Sequence, residues 1–305
     1  MPRKLMVTGY GGFVAGSVVW QAVRSGAWDV YALSLIENPE EGDRFHCIQF
    51  DLTDSAKLKS VFDQVRPEAV IHTAALADID YCQNNQALAE RINVGVTREL
   101  AQWCGAGKTK MILCSTDTVF DGEKGKYTEE DAPHAVNFYA ETKIKAESIV
   151  RETVEKGVIT RLSLVMGLPV LGAGNSFLAK MFDSLKKGES VKFPANEIRT
   201  PMDVITIGRA FLEIAGGPFV GTMHLAGSTR INRYEMACQI AEKLGFSRDL
   251  VIATDSNSIP GRAPRPNDAS LDNGKAKRTL TTPMQTLMSG LDLVLKMKEE
   301  QSRQG

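Results

Sequence analysis

The sequence lacks several features that mark particular classes of protein. Its 305 residues carry a net charge of −1 and contain no basic block, so we expect no nucleic-acid partner. The five cysteines are scattered, without a CxxC pair or other metal-ligand spacing. This pattern predicts unpaired thiols in a reducing cytoplasm and no metal site. No apolar run reaches 18 residues, so we expect no membrane span.

What the sequence does contain is the balance of a globular protein, with 43% apolar and 24% charged residues. Its length suggests one large domain or two smaller ones. The first twenty residues, MPRKLMVTGYGGFVAGSVVW, start basic and turn apolar, which imitates a secretory signal. Three glycines interrupt that run, so a first strand that enters a glycine turn is the better interpretation.

Short β-rich runs alternate with helix-length amphipathic segments through the first half of the chain. Several runs are almost continuously apolar, which is typical of strands covered on both faces. The alternation predicts an α/β fold with a doubly wound parallel sheet of the Rossmann type. Strands are predicted at 4–7, 29–35, 46–50, 69–74, 110–115 and 158–165, and helices at about 13–25, 55–65, 86–104 and 137–156.

The pattern changes after about residue 166, where glycine, proline and short mixed segments dominate. Helices are predicted near 175–187, 204–215 and 233–244, and a loop at 258–276, which contains three prolines. We therefore expect a dinucleotide-binding domain at 1–165. A smaller α/β substrate-binding lobe is expected at 166–305, from which some segments can return to the Rossmann sheet.

The segment TGYGGFVAG at 8–16 leaves the first predicted strand and opens the first helix. Gly9 permits a tight turn, Gly12 lets the backbone approach a pyrophosphate, and Ala15 lets the helix pack close to the sheet. A sharp turn that binds nothing is the alternative, and the αβ units that follow in register favour a dinucleotide. The positions expected to line NADP or NAD are Gly9, Gly11, Gly12, Phe13, Val14, Ser34, Asp51, Leu52, Ala74, Ala75, Leu76, Tyr139 and Lys143.

The end of the second strand normally carries the group that reads the adenosine ribose. An acidic residue there favours NAD, and an adjacent basic residue favours NADP. The position falls near Ser34, while Glu37 and Arg44 lie too far along the chain, so the choice between the two cofactors stays open. Asp51 and Leu52 are expected at the edge of the adenine, with a helix-capping role for Asp51 as the alternative.

Three motifs together resemble the extended short-chain dehydrogenases/reductases. They are the TGxxGxx[GA] turn at Thr8–Ala15, Thr116 after the fifth strand, and a YxxxK pair formed by Tyr139 and Lys143. Within that family, CSTDTVFDG at 114–122 resembles the STD-x-VFDG signature of the dTDP-4-dehydrorhamnose reductases. The segments AALADID, HLAG, RYEMA and RPNDASLD parallel their sequences as well. The resemblance implies an enzyme that reduces the 4-keto group of a nucleotide-linked deoxysugar with NADPH or NADH.

The residue types in these motifs suit a ketone reduction, which needs a hydride and a proton. A free tyrosine, with a pKa of about 10, exchanges protons poorly at neutral pH. A lysine four residues away on a helix shares its face, and its ammonium would lower that pKa. We therefore hypothesise that Tyr139 donates the proton and that Lys143 tunes it and binds the nicotinamide ribose. A solvated helix face is the alternative for both.

Thr116 is expected to hydrogen-bond the carbonyl oxygen of the substrate, and Asp117 to help hold the sugar. A simple turn after a strand is the alternative for both. His72 ends an apolar strand, and we interpret it as a core histidine rather than a ligand.

A nucleotide diphosphate requires fixed cations. Arg199, Arg262 and Arg265 lie in the half expected to face the cleft, and one or two of them are predicted as nucleotide contacts, with surface arginines as the alternative. Asn175 is predicted as a helix cap or substrate contact. Leu164 stands where the resembled reductases carry a tryptophan that flanks the sugar, which leaves the particular sugar open.

Two other functions remain open at this point. A sugar 4-epimerase or a reductase of another small carbonyl compound would use the same motifs. A non-catalytic subunit is the alternative from another class, because the regulatory beta subunit of methionine adenosyltransferase resembles the same reductases. The family resemblance also implies a homodimer that pairs through the helices near 86–104 and 137–156.

Overall fold

A computed structural model describes residues 2–36, 42–171, 176–258 and 260–304 of the chain. Asn175 and Glu37 lie outside these ranges. The strands of the described part are β1 (Arg3–Tyr10), β2 (Trp28–Ser34), β3 (Phe45–Gln49), β4 (Ala69–His72), β5 (Lys110–Thr116), β6 (Gly157–Leu162), β7 (Val165–Met166), β8 (Val191–Pro194), β9 (Ile198–Arg199), β10 (Met202–Asp203), β11 (Gly221–Leu225), β12 (Ile231–Asn232) and β13 (Val251–Thr254).

Helices are observed in every predicted segment, and three more, Ile79–Asn84, Gly274–Thr279 and Leu287–Gln304, were not predicted. Their bounds in the described part are α1 (Phe13–Ser25), α2 (Ser55–Val65), α3 (Ile79–Asn84), α4 (Gln86–Ala89), α5 (Val96–Gly107), α6 (Phe138–Thr153), α7 (Phe177–Lys186), α8 (Val204–Gly216), α9 (Arg233–Lys243), α10 (Gly274–Thr279) and α11 (Leu287–Gln304). A π-helical turn, Glu90–Gly95, joins α4 to α5. The predicted helix at 86–104 therefore contains an irregularity that its periodicity did not indicate.

Seven strands form one sheet in the order β11-β6-β5-β4-β1-β2-β3. Every neighbouring pair in it is parallel, so the predicted doubly wound parallel sheet is confirmed. The strand order reverses between β1 and β4. In sheets of this kind, ligands bind at the carboxyl ends of the strands beside such a reversal.

Helices cover both faces of this sheet, which explains why its strands are apolar on both sides. On one face, α2, α5 and α6 bury residues such as Leu58, Leu100 and Val150. On the other face, α1 and α8 bury Val18 and Phe211. No helix of the described part is both long and apolar enough to cross a bilayer.

The chain after residue 166 supplies β11 to the large sheet and α8 to one face of it, and otherwise forms a smaller lobe. Three two-stranded sheets, β7 with β10, β8 with β13 and β9 with β12, combine there with α7, α9 and α11 around a separate core. The predicted helices near 175–187, 204–215 and 233–244 are observed as α7, α8 and α9. The predicted loop at 258–276 ends earlier than expected, because α10 begins at Gly274.

Candidate active site

The glycine turn between β1 and α1 has the geometry of a pyrophosphate site. Gly9 and Gly11 have φ angles of 79° and 95°, a region that side chains disfavour. A Cβ at Gly9 would lie 2.8 Å from the backbone nitrogen of Ala74. The first turn of α1 carries no acidic residue, so the positive end of the helix dipole is open to an anion. The residues present thus fit a bound dinucleotide.

The segment after β4 lies directly against this turn. Thr73 Oγ1 donates a hydrogen bond to the carbonyl oxygen of Thr8 at 2.7 Å, and the amide of Ala74 donates to Thr8 Oγ1 at 3.2 Å. Asn93 holds Leu76, at the end of the segment. Its Oδ1 accepts from the amide of Leu76 at 2.8 Å, and its Nδ2 donates to the carbonyl oxygen of Leu76 at 3.1 Å. Positions 74–76, predicted for the cofactor, therefore adjoin the glycine turn.

Asn93 is a functional candidate that sequence reasoning missed. It lies in the π-helical turn and is buried. Besides holding Leu76, its Nδ2 donates to Thr142 Oγ1 on α6 at 3.0 Å, so it ties the cofactor segment to the helix of Tyr139. An asparagine among the apolar residues of an otherwise regular helical pattern was the available signal.

Ser34 at the end of β2 is engaged within the protein. Its buried hydroxyl donates to the carbonyl oxygen of Tyr10 at 3.0 Å and accepts from the amide of Ile36 at 3.0 Å. Arg44 donates to the carbonyl oxygen of Gly26 at 2.6 Å, which places its guanidinium at the other end of β2. Neither residue therefore offers the group that normally separates NAD from NADP.

Asp51 does not cap a helix, so that alternative was wrong. Its Oδ1 accepts from the amide of Thr53 at 2.8 Å, whereas Asp54 caps α2 by accepting from the amide of Lys57. The bond from the Thr53 amide holds the pKa of Asp51 below its usual value. Asp51 is exposed and Leu52 is half-buried, and their contact with adenine stays a prediction.

Tyr139 and Lys143 are buried, so the solvated helix face was wrong for both. Asn137 caps α6 by accepting from the amide of Ala140 at 2.9 Å, which puts Tyr139 in the first turn of the helix. Tyr139 is 9% exposed and Lys143 is 3% exposed. The ammonium of Lys143 donates to the carbonyl oxygen of Cys114 on β5 at 2.7 Å. The tyrosine and Thr116, which ends β5, are within hydrogen-bonding reach of each other.

The predicted lowering of the phenol's pKa by Lys143 is not what the structure shows. Burial raises the pKa of Tyr139 above its ordinary value, and the hydrogen bond with Thr116 opposes that rise only in part. Burial also lowers the pKa of Lys143. The physical reason is that the low-dielectric surroundings disfavour the phenolate. Tyr139 therefore stays protonated at neutral pH, which is the form a proton donor requires.

Asp117 is enclosed beside Thr116. Its Oδ1 accepts from Thr116 Oγ1 at 3.3 Å, and its Oδ2 accepts from Ser163 Oγ at 3.3 Å. The Nε of Arg199 lies 3.5 Å from Oδ2. Burial raises the pKa of Asp117, and the charge of Arg199 opposes that rise. The carboxylate thus orients the threonine, and its predicted contact with a sugar stays a prediction.

Arg199 is not a surface arginine, so that alternative was wrong. It is 5% exposed, and it donates to the carbonyl oxygens of Pro266 at 3.0 Å and Asn267 at 3.2 Å. These bonds hold the 266–267 loop against the site. The guanidinium is occupied by protein groups on all sides, which corrects its predicted use as a nucleotide contact.

A cavity of about 730 Å³ opens between the lobe and α3. Arg262 lies in its wall, and its contact with a nucleotide stays a prediction. Three residues that sequence reasoning missed, namely Lys192, Phe193 and Arg233, line the cavity as well. Arg265 instead forms a two-pronged ion pair with Asp80, at 2.6 and 2.7 Å. Arg233 lies in the segment RYEMA, which had been noted for its resemblance alone.

The remaining predicted residues do not line the cavity or lie outside the described part of the chain. Leu164 is half-buried and packs against the core of the lobe. Asn175 falls outside the described residues. His72 is a core histidine, as predicted: its ring nitrogens lie 2.7 Å from Thr8 Oγ1 and 3.0 Å from Thr97 Oγ1, and burial lowers its pKa to about 3. Within the described ranges, no group of three or more His, Cys, Asp or Glu side chains is arranged to hold a metal ion.

The chain is similar to several characterised proteins over almost its whole length. It is 28% identical to the probable low-salt glycan biosynthesis reductase Agl14 of Haloferax volcanii, over 93% of this chain and 95% of the relative. It is 29% identical to methionine adenosyltransferase 2 subunit beta of Rattus norvegicus, over 90% of this chain and 81% of the relative. It is 27% identical to the dTDP-4-dehydrorhamnose reductase of Aggregatibacter actinomycetemcomitans, over 90% and 92%.

Solved structures repeat the fold. A hypothetical dTDP-4-dehydrorhamnose reductase from Sulfolobus tokodaii aligns with a TM-score of 0.81 and 28% identity, covering 94% of this chain and 98% of that one. The dTDP-4-dehydrorhamnose reductase of Bacillus anthracis aligns with a TM-score of 0.84 and 23% identity, covering 97% and 100%. Residues 3–299 match the family described as RmlD substrate binding domain. The chain therefore belongs to that family, and its resemblance to the dTDP-4-dehydrorhamnose reductases is confirmed.

Proposed function

We propose that the protein is an NAD(P)H-dependent reductase of the 4-keto group of a nucleotide-linked deoxysugar, like the dTDP-4-dehydrorhamnose reductases. The observation that carries the proposal is the convergence of three side chains at the carboxyl end of β5, two strands from the strand that enters the glycine turn. Thr116 ends β5, and Tyr139 and Lys143 approach it from α6. Two of the relatives named above are described as reductases.

The cofactor site is proposed along the glycine turn and the segment at 74–76. Gly9, Gly11 and Gly12 leave room for a pyrophosphate at the start of α1, and Lys143 would bind the nicotinamide ribose. Proteins of this fold have been crystallised with NADP and with NAD. Because Ser34 and Arg44 are engaged elsewhere, both cofactors are compatible with the described residues.

The chain's own residues supply the proton and orient the ketone. The nicotinamide, when bound, provides the hydride that reaches the carbonyl carbon. Thr116 donates a hydrogen bond to the carbonyl oxygen, and Tyr139 transfers its hydroxyl proton to the alkoxide that develops there. The sugar becomes an alcohol, and Tyr139 regains its proton from water.

The nucleotide is proposed to lie in the cavity beside Phe193. Lys192, Arg233 and Arg262 line that cavity with positive charge, which suits a diphosphate. Among the described residues, Nε of Arg233 is a buried donor without a hydrogen-bond acceptor, and such donors normally find one. The segment that lines the cavity at 260–262 continues to Pro264, whose carbonyl oxygen accepts a hydrogen bond of 2.9 Å from Asn137 at the start of α6.

The test is oxidation of NADPH and NADH by the purified protein, measured against a panel of nucleotide 4-keto sugars with product analysis. We expect one cofactor oxidised for each keto sugar reduced. A sugar product formed without net cofactor consumption would support an epimerase instead. Turnover of no member of the panel would contradict the proposal.

A regulatory subunit is the second candidate, favoured by the 29% identity to methionine adenosyltransferase 2 subunit beta. The set of Thr116, Tyr139 and Lys143, of which the last two are buried, favours catalysis over this alternative. Co-purification with an adenosyltransferase, together with no activity on any keto sugar, would reverse that preference.

A homodimer in the cytoplasm is part of the same proposal. The helices expected to pair are α4, α5 and α6, and the exposed side chains of Leu88 and Tyr81 beside them support a covered face there. The five cysteines, all in the described part of the chain, form no disulfide, which suits a reducing compartment. Light scattering during size-exclusion chromatography would measure the oligomeric state.

A further inference from the structure

A buried carboxylate organises the arginines of the cavity. Glu197 is 2% exposed. Its Oε1 lies 3.2 Å from Nη1 of Arg262, and its Oε2 lies 3.1 Å from Nη1 of Arg233. The backbone is fixed as well, because the amide of Arg233 donates to the carbonyl oxygen of Glu197 at 2.9 Å. The two cavity arginines thus share one buried counter-charge.

The same carboxylate continues towards the catalytic residues. Oε2 of Glu197 lies 3.9 Å from Nη2 of Arg199, and Nε of Arg199 lies 3.5 Å from Oδ2 of Asp117. Asp117 in turn accepts from Thr116 Oγ1 at 3.3 Å. Charges of alternating sign therefore run without interruption from the cavity wall to the catalytic threonine.

This chain of charges is enclosed at its centre. Glu197, Arg199 and Asp117 are each at most 5% exposed. Electrostatic interactions between groups in such surroundings are weakly screened. A buried ion pair is often no more stabilising than apolar packing. Stability alone therefore does not explain why three charged side chains, Glu197, Arg199 and Asp117, are buried next to one another. A change of charge beside Arg233 and Arg262 therefore changes the electrostatic potential at the carboxylate of Asp117.

We propose that Glu197 and Arg199 are positioning residues that couple occupancy of the cavity by a nucleotide diphosphate to the orientation of Thr116. The identity of that ligand rests on the proposed function. A diphosphate draws Arg233 and Arg262 away from Glu197, which then pairs more strongly with Arg199. Arg199 then neutralises Asp117 less, which changes the hydrogen bond that Asp117 accepts from the hydroxyl of Thr116 and with it the orientation of that hydroxyl. Binding of the remote nucleotide thereby assists the reaction at the sugar.

Hydrogen exchange measured with dTDP as the probe tests this coupling without any turnover. The amide of Thr118 donates to Thr116 Oγ1 at 3.2 Å, so its exchange rate reports on that hydroxyl. Saturating dTDP is expected to change the exchange of the peptide at 115–120 by about fivefold or more in the unmodified protein. Glu197→Gln keeps the shape of the side chain and removes its charge, and it is expected to abolish the change at saturation.

The matched control is Glu235→Gln, which removes another glutamate of the lobe, paired with Arg248 at 2.5 Å and outside the chain of charges. The Glu235→Gln variant should show the same hydrogen exchange as the unmodified protein and keep its kcat, whereas the kcat of Glu197→Gln should fall about tenfold.

Arg199→Lys is a second test. A lysine cannot reach the carboxylates of both Glu197 and Asp117, so this variant too should lose the coupling.

The coupling is overturned if dTDP leaves exchange at 115–120 unchanged in the unmodified protein, or if Glu197→Gln responds as the unmodified protein does. These outcomes are separate from failure of the proposed function. A protein that shows the coupling and reduces no keto sugar would refute the reductase alone. One that reduces keto sugars without the coupling would refute the positioning role alone.

Discussion

Tyr139 is the residue on which the proposed chemistry depends. It is buried next to Thr116, and its raised pKa keeps the phenol protonated. Tyr139→Phe should leave NADPH binding nearly intact and lower turnover by about a hundredfold to ten-thousandfold, the usual contribution of a general acid. Steady-state rates and a fluorescence titration of NADPH would measure both effects. Tyr81→Phe removes the hydroxyl of an exposed tyrosine on α3 and should change neither, and equal rates for both variants would exclude the assignment.

Gly9 carries the second prediction at the scale of single residues. Gly9→Ala places a Cβ 2.8 Å from the backbone of Ala74 at a φ of 79°. We expect the glycine turn to move and the Kd for NADPH to rise at least tenfold. Gly188→Ala is the control, because Gly188 has a similar φ of 73° in open space. It should cost about 1 kcal/mol of unfolding free energy and leave NADPH affinity unchanged. Loss of affinity in both variants would argue against a local cause.

Single residues also show where sequence reasoning reaches its limit. The motif positions Thr116, Tyr139 and Lys143 could be selected because their spacing is local. The surroundings of Arg199 could not be predicted, since its partners Asp117 and Pro266 are distant along the chain. The same holds for the pKa of Tyr139, because burial depends on the complete fold and raises that pKa.

The helix α6 is held to the sheet by a buried ion pair. Glu147 lies 2.8 Å from Arg161 of β6 and accepts from Ser115 of β5 at 2.6 Å. Glu147→Gln leaves Arg161 without its counter-charge, so we expect a loss of about 3–5 kcal/mol of unfolding free energy in urea titrations. Glu90→Gln breaks an exposed pair with Lys145 of the same helix and should cost at most about 1 kcal/mol. Equal losses would show that the buried pair does not anchor α6.

Elements of the first half were predicted better than their irregularities, whereas β8, β11, β13 and α11 of the second half were not predicted. The bounds of α1 and α2 agree with the prediction, because apolar residues recur there at helical spacing and caps or glycines end the pattern. The π-helical turn at Glu90–Gly95 was missed, since one extra residue in a turn hardly alters that spacing. The two-residue strands β7, β9, β10 and β12 were missed because so short a pairing leaves no alternation to detect.

The pH dependence of stability is a property of the whole molecule. Burial lowers the pKa values of His72 and His224 to about 3, whereas in the unfolded chain they are about 6.5. Below pH 6.5 the unfolded state therefore binds protons that the folded state does not, and stability falls as the pH drops towards 3. Each histidine contributes about 1.4 kcal/mol per pH unit in that range.

Urea unfolding between pH 6.5 and 5 would measure this slope. The two histidines contribute one part of the slope of unfolding free energy against pH, and His72→Gln should remove about half of that part. This expectation holds whatever the effect of the substitution on stability at neutral pH. His134→Gln, which changes an exposed ring with 76% of its side chain accessible, is the control for replacing a histidine at the surface. An unaltered slope in His72→Gln would mean that His72 is protonated in the folded protein.

The central claim is that a ketone meets the hydride of the nicotinamide beside Tyr139. Transfer of deuterium measures it most directly, with cofactor deuterated at both transferable positions of the nicotinamide and a nucleotide 4-keto sugar as acceptor. We expect one deuterium at the former keto carbon for each cofactor oxidised. A sugar product without deuterium at that carbon, or no cofactor oxidation with any keto sugar, would contradict the claim.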